Sequence, residues 1–264
     1  MRRRTLLRLA PKRPRGGSGS PRPLPGGAAF RRMAGTMPQQ RPVAIRPPVI
    51  QIAIDVPDID AALRMAEMGA EAGVDWLEAG TPLIVRRGAD AIGAIARAFP
   101  EFPVLADYKT MDSGGKNVHL TAEQGGHVMT VCAGAADETI KSAVAASKET
   151  GVLVIVDTIG VRDQPGRALE IEAMGADSVY LHYGADQRRA DESKDSTQWL
   201  DAVTAAVNIP VGCGTFGIED GVHAARGGAA VIVIGHPLIS GPDPLGMLKR
   251  YCEEVRAAYE PPKR

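Results

Sequence analysis

The chain is poor in several things at once. Only three cysteines occur in 264 residues, Cys132, Cys213 and Cys252. They lack CxxC spacing, which argues against a disulfide framework or a cysteine zinc site and reads as reduced, mostly buried thiols of a cytoplasmic protein. Aromatic residues make up 4%, so the core must be built from Ala, Val, Ile and Leu. No apolar run approaches the roughly 20 residues that cross a bilayer, so no membrane association is expected. Acids are absent from the first 47 positions, which hold 12 Lys/Arg; the first carboxylate is Asp55. The formal net charge of zero therefore averages two unlike parts. The remainder carries 19 Lys/Arg against 31 Asp/Glu, and so acidic a body argues against nucleic acid as a partner.

Residues 1–47 are rich in Arg, Pro and Gly and show no apolar periodicity. The expectation is a disordered extension, followed by one catalytic domain over 48–260. Arg2-Arg3-Arg4 followed by Leu6-Leu7 faintly resembles a targeting signal, but Pro11 and Lys12 interrupt the apolar run. A transit peptide or an upstream start ahead of Met33 and Met37 fits the composition as well. A dispensable tail is the expectation.

From residue 48 onward, short apolar runs alternate with amphipathic stretches. Strands are predicted at 49–54, 74–79, 104–107, 128–132, 153–156, 178–182, 210–213 and 231–234. Eight helical patterns lie between and after them, most ending in glycine (Gly73, Gly125, Gly151, Gly175, Gly227). A short phrase recurs ahead of strands: Gly73-Val74-Asp75, Gly126-His127-Val128, Gly175-Ala176-Asp177. Eight continuous apolar strands with eight helices predict an α/β fold, a closed (β/α)8 TIM barrel. An open doubly wound sheet would carry a glycine-rich fingerprint after its first strand, and Ile54-Asp55-Val56-Pro57 has none.

In such a barrel the site lies at the C-terminal ends of the strands. Those ends supply Asp55, Glu78, Asp107 with Lys109, Asp157, His182, Gly212–Thr215 and Gly235-His236. The run Ala106-Asp107-Tyr108-Lys109-Thr110-Met111-Asp112 is the richest. Residues i and i+2 of a strand share a side, so Asp107 and Lys109 should project together. By itself this triplet reads equally as a structural ion pair with Asp112 as a helix N-cap. Glu78 alone could be a rim partner of Lys109, and His182 alone a satisfied strand-end histidine. Their shared rim favours function.

With these residues assembled, the chain resembles the orotidine-monophosphate decarboxylase superfamily, in particular the branch of 3-hexulose-6-phosphate synthase and 3-keto-gulonate-6-phosphate decarboxylase. The matching motifs are Gln51-Ile52-Ala53-Ile54-Asp55, Glu78-Ala79-Gly80-Thr81-Pro82, the Asp107–Asp112 run, and His182 with Gly184 and Asp186. The resemblance implies Mg²⁺ held by Glu78 and Asp107, and catalytic roles for Asp55, Lys109, Asp112 and His182. Lys109 would stabilise an enediolate and His182 would act as general acid/base. It also implies a homodimer in which Asp112 reaches the neighbouring site. The implied activity is a Mg²⁺-dependent aldehyde-lyase joining formaldehyde to ribulose 5-phosphate. The same enediolate route would serve a 3-keto-gulonate-6-phosphate-type or orotidine-monophosphate-type decarboxylase, and a non-catalytic sugar-phosphate-binding barrel is a third reading. Ala185 and Asp186, where the decarboxylases place an Arg, favour the synthase.

The substrate's phosphate should lie against the loops after the seventh and eighth strands. Gly212, Gly214 and Thr215 of Gly212-Cys213-Gly214-Thr215-Phe216-Gly217 are candidates, with Gly235 and His236. His236 stands where relatives carry Arg or Gly, and Pro237 removes one backbone donor. Arg188 and Arg189, in the charged segment after His182, could supply the missing charge from a substrate-covering lid. The tail makes a first test. A chain beginning at Arg41 should keep its Tm and turnover, measured by thermal melting and by activity; a clear loss of either would mean that residues 1–40 dock on the barrel.

Overall fold

The computed structural model describes residues 43–262. It forms a closed barrel of parallel strands in chain order. These are β1 (Val49–Ile52), β2 (Trp76–Ala79), β3 (Val104–Thr110), β4 (Val128–Cys132), β5 (Leu153–Asp157), β6 (Ser178–Leu181), β7 (Val211–Thr215) and β8 (Val231–Ile234). Closure comes from β1 pairing with β8, Val49 against Val231 through Ile52 against Ile234. The expected barrel is therefore the observed one.

The helices are α1 (Ile59–Ala72), α2 (Thr81–Arg87), α3 (Asp90–Ala98), α4 (Gly114–Glu123), α5 (Asp137–Thr150), α6 (Gln164–Ala173), α7 (Ala185–Ala190), α8 (Leu200–Ala206), α9 (Ile218–Arg226) and α10 (Pro244–Ala258). Eight correspond to the expected patterns. The other two, α2 and α7, are short helices in the loops after β2 and β6. They were not separable by periodicity, because seven and six residues give too few turns for an apolar stripe. Both sit on the side where the strands end.

Capping explains several helix starts. Asp58, Asp163 and Asp243 each accept a hydrogen bond at 3.0 Å from the backbone N–H three residues on. Such a cap contributes about 1 kcal/mol. Gly73 closes α1 in the left-handed conformation at φ 89°, where a side chain would be strained. At the end of α9 that role falls to Gly228 (φ 77°), one residue beyond the expected Gly227.

The recurring phrase before strands has a physical cause. Asp75 accepts from Ile50 N–H at 2.8 Å, His127 Nδ1 from Val104 N–H at 3.2 Å, and Asp177 from Val154 N–H at 2.7 Å. In return, the N–H groups of the same three residues donate to the carbonyls of Ile50, Val104 and Val154. Each residue thus ties the start of one strand to the preceding strand. The imidazole of His127 can accept only when neutral, and burial pulls its pKa down.

Strand residues divide by parity. Outward ones such as Ile50, Leu77, Met129, Val154 and Ile232 are fully buried against the helices. Inward ones form a second cluster around Val49, Trp76, Leu105, Val128, Ile155 and Val231, against which Val43 and Ile45 pack. Residues 43–47, assigned from composition to the extension, therefore include two that pack onto the barrel. Residues 1–42, the rest of that expected extension, lie outside the described residues. Above the apolar layer the inward positions turn polar, and that change builds the site.

Candidate active site

β3 does not run as a regular strand to its end. Ala106 pairs with Met129 and Thr110 with Val131, so β3 spends four residues where β4 spends two. Lys109 takes up the excess at φ 47°, a conformation that costs a non-glycine residue roughly 1–2 kcal/mol. Its N–H leaves the ladder and donates to Thr130 Oγ1 at 3.0 Å. Asp107 and Lys109 do converge as expected, but through this bulge, and the Lys109 ammonium is ion-paired to Asp107 Oδ2.

Asp107 is almost fully buried and held on both oxygens. Thr130 donates to Oδ1 and Thr81 to Oδ2, each at 2.7 Å. Lys109 also reaches Asp157 Oδ2 at 3.6 Å, and the same oxygen lies 2.8 Å from His182 Nδ1. An ionised carboxylate only accepts, so Nδ1 of His182 carries the proton and Nε2 is left for a substrate. Asp157 has no solvent exposure. Burial opposes its charge, yet His182, Lys109 and the Ile159 N–H outweigh burial and hold its pKa below the ordinary value. For Lys109 burial works downward as well, but Asp107, Asp157 and Glu78 overcome it and keep the ammonium more firmly protonated than usual.

Glu78 projects from β2 into the same space and accepts from Gln51 Nε2 at 2.5 Å. Burial, then the negative charges of Asp107 and Asp55, push its pKa well up. Asp55 is open to the cleft but walled by protein on its other sides. That burial and Asp107 raise its pKa, against smaller opposing effects of Lys109 and His182. The Glu78–Pro82 motif now has reasons beyond Glu78. A Cβ on Gly80 would lie 2.6 Å from Ile54 O. Thr81 ties α2 to Asp107, and Pro82 occupies the first turn of α2, where no N–H is needed.

Two neighbouring cavities that share wall residues occupy the rim. The deep one, about 80 Å³, is bounded by Gln51, Glu78, Asp107, Lys109, Thr130 and Tyr180. The outer one, about 590 Å³, is bounded by Arg188, Arg189, Gly214, Phe216, Gly217 and His236 among others. Asp55, Tyr180 and His182 border both. The outer volume lies in the range of small-ligand sites; the inner one holds only a few atoms.

The expected residues distribute unevenly over this cleft. Asp55, Glu78, Asp107, Lys109, His182 and Gly212 line the deep part, and Gly214, Thr215, Gly235, His236, Arg188 and Arg189 the outer part. The hydroxyl of Thr215 is committed elsewhere, to Val233 O at 2.8 Å and Tyr251 Oη at 2.7 Å. Arg189 is tied to Asp186 and 72% exposed. Arg188 lies over the Phe216 ring at 5.3 Å. Asp112 is exposed and lines neither cavity, and among the described residues it accepts only from Ser113 N–H, at 2.7 Å. It is not the side-chain cap of α4, whose N-cap is Ser113. Thr130 and Tyr180 carry no sequence motif; only inward parity on β4 and β6 points to them.

Glu78 and Asp107 suit a hard divalent cation. Two carboxylates from adjacent strands meet in one pocket with Asp55 close by, and buried Gln51 Oε1 has no partner. Among the described residues no three His, Cys, Asp or Glu side chains form a ready metal cage. Few protein ligands, with remaining positions left to water and substrate oxygens, is the pattern of Mg²⁺ and not of structural zinc.

Carboxylates, a lysine and an Asp-held histidine gather at the strand ends of this (β/α)8 barrel. The chain belongs to the orotidine 5'-phosphate decarboxylase / HUMPS family, whose model matches residues 48–251, and is an enzyme of the lyase type. It is 37% identical over 215 residues to the 3-hexulose-6-phosphate synthase of Mycobacterium gastri, covering 79% of this chain and 98% of that one. Identity to the Bacillus subtilis 3-hexulose-6-phosphate synthase is 36% over 158 residues, 60% of this chain and 74% of that one. Its fold matches the crystal structure of 3-hexulose-6-phosphate synthase from Salmonella typhimurium with a TM-score of 0.74 at 30% identity, covering 80% of this chain and 100% of that one.

The Asp157 bridge can be tested directly. Asp157→Asn should lower kcat on the order of 100-fold, because the His182 tautomer and orientation are no longer fixed. KM should change little. The depressed pKa of Asp157 means that its stabilising contribution is present above the ordinary carboxylate range, about pH 4, and is lost as pH falls through its lower folded value. Melting curves between pH 2 and 7 should show this loss in the parent chain and not in the variant.

Proposed function

We propose that the chain condenses formaldehyde with ribulose 5-phosphate, as a Mg²⁺-dependent aldehyde-lyase of the 3-hexulose-6-phosphate synthase type. The observation that carries this reading is the Lys109–Asp157–His182 chain beside the Glu78–Asp107 carboxylate pair, at one end of a cleft roomy enough for a pentulose phosphate. Similarity to the Mycobacterium gastri and Bacillus subtilis synthases supports the choice of substrates.

A Mg²⁺ ion held by Glu78 and Asp107 would supply the Lewis-acid field for adjacent carbonyl and hydroxyl oxygens of the ketose. The rest of the chemistry belongs to the chain. His182, with Nδ1 fixed by Asp157, offers Nε2 to take the proton from the carbon next to the carbonyl. The Lys109 ammonium faces the negative charge that then develops on substrate oxygen. The enediolate carbon attacks formaldehyde, and the resulting alkoxide takes up a proton. The loops after β7 and β8 take the phosphate, with Arg188, which lies over Phe216 and donates to Lys194 O at 2.8 Å, as the cation, and His236, bonded to Ser240 Oγ at 2.9 Å, beside it.

Glu78→Gln removes one ligand charge at nearly constant shape. It should abolish most activity and weaken Mg²⁺ binding measured by calorimetry. Full activity with unchanged Mg²⁺ dependence would refute the assignment.

Asp112 belongs to this proposal through a partner. It is exposed and lines neither cavity of its own cleft, and in this reading it would enter the site of a second copy across a two-fold axis. Inactive Asp112→Asn and inactive Lys109→Ala chains, allowed to exchange, should then regain part of the activity, because one site in each mixed dimer is intact. No recovery after demonstrated exchange would remove Asp112 from a shared site.

A further inference from the structure

The sixth strand carries a residue that neither the bridge nor the carboxylate pair explains. Tyr180 points inward from β6, two positions before His182, and borders both cavities. Its ring lies 5.2 Å from the His182 ring at an angle of 51°. Its neighbour across the ladder is β7, with Tyr180 opposite Gly212. A Cβ on Gly212 would meet Tyr180 Cδ2 at 3.1 Å, and one on Gly214 would meet Tyr180 Oη at 2.6 Å. Both inward glycines of β7 therefore leave room for one phenol.

The phenol is not an inert filler. Burial and the surrounding carboxylates, Asp157 first, keep its pKa well above the ordinary value, and among the described residues no side chain hydrogen-bonds it. It is not among the sealed polar atoms that lack a partner, such as Gln51 Oε1. A phenol donor stands in the wall that the deep and outer cavities share. The reacting end of the cleft, with Lys109 and His182, is on one side. The Gly214–Gly217 loop is on the other.

The geometry points to Tyr180 as a specificity residue that donates a hydrogen bond to a middle hydroxyl of a phosphorylated polyol, between the reacting carbons and the phosphate, with Gly214 kept bare to seat the phenol. This rests on the sugar-phosphate reading above. It gives Gly214 a role other than cradling phosphate. A phosphorylated substrate lacking that middle hydroxyl would leave the donor unpaired and bind less well.

The clash at Gly214 is with the hydroxyl oxygen itself; the ring carbon bearing it would be 3.4 Å away, an ordinary contact. Tyr180→Phe should therefore rescue Gly214→Ala. Four proteins are compared, the parent chain, Tyr180→Phe, Gly214→Ala and the double variant, by Tm and by calorimetric binding of ribulose 5-phosphate. Tyr180→Phe alone should bind about 5- to 10-fold more weakly, the loss of one hydrogen bond, at nearly unchanged Tm. Gly214→Ala should lower both Tm and affinity. The double variant should recover Tm and bind like Tyr180→Phe alone. Unchanged binding by Tyr180→Phe would overturn the contact. A double variant no better than Gly214→Ala would return that glycine to the phosphate cradle and overturn the seating. Failure of the parent chain to bind the pentulose phosphate would contradict the proposed function, while the Tm comparison would still decide whether Gly214 seats the phenol.

Discussion

The site depends on compensating buried negative charge. Asp107, Asp157 and Glu78 are all at or near complete burial, at the inner mouth of a barrel whose inward layer beneath them is apolar. Isolated carboxylates there would be strongly disfavoured. The Lys109 ammonium, paired with Asp107 and within 3.6 Å of Asp157, sets a positive charge between the two aspartates, and His182 adds a second partner for Asp157. Glu78 is the carboxylate left over, pushed toward its neutral form. With Asp55 beside it, also raised by burial and by Asp107, the site holds more carboxylates than Lys109 alone can offset, and a divalent cation would answer that shortage.

The backbone is bent to serve this arrangement. A regular third strand would keep Lys109 in the ladder; the left-handed turn at that residue frees its N–H for Thr130 and brings its ammonium back over Asp107. Thr130 serves both, accepting from the lysine backbone and donating to the aspartate. Small residues then clear the space. Gly80 lets the loop after β2 pass against Ile54 and Asp55, and Gly212 with Gly214 admits the Tyr180 ring. The short helices α2 and α7 flank the same rim. Thr81 at the start of α2 holds Asp107, and Arg188 on α7 reaches over Phe216.

Much of this could be read from the chain alone, for reasons of period. Parallel strands buried on both faces leave unbroken apolar runs, so all eight strands and the closed barrel were visible. Strand-end position picked out Asp55, Glu78, Asp107, Lys109 and His182. What escaped was whatever depends on partners far apart in sequence. Nothing in Val128–Cys132 marks Thr130 as the residue that binds both Asp107 and Lys109. Asp157 was visible as a strand end, but not as the bridge from Lys109 to His182, because that role is set by the shear of the barrel. Thr215 was read as facing substrate; odd and even positions of β7 decide otherwise, and its hydroxyl turns outward to Tyr251. The phrase that recurs ahead of strands is visible as a repeat, but the acceptor role of Asp75, His127 and Asp177 for the neighbouring strand's N–H needed the register.

The most direct test of the account follows a labelled carbon. Purified full-length chain is incubated with ¹³C-formaldehyde, ribulose 5-phosphate and Mg²⁺, and the products are read by carbon NMR. The account predicts that the label leaves formaldehyde and appears in a hydroxymethyl carbon of a hexulose phosphate, joined by a new carbon–carbon bond, and that chelating Mg²⁺ stops it. Formaldehyde left unconsumed by a folded, Mg²⁺-loaded protein would contradict it.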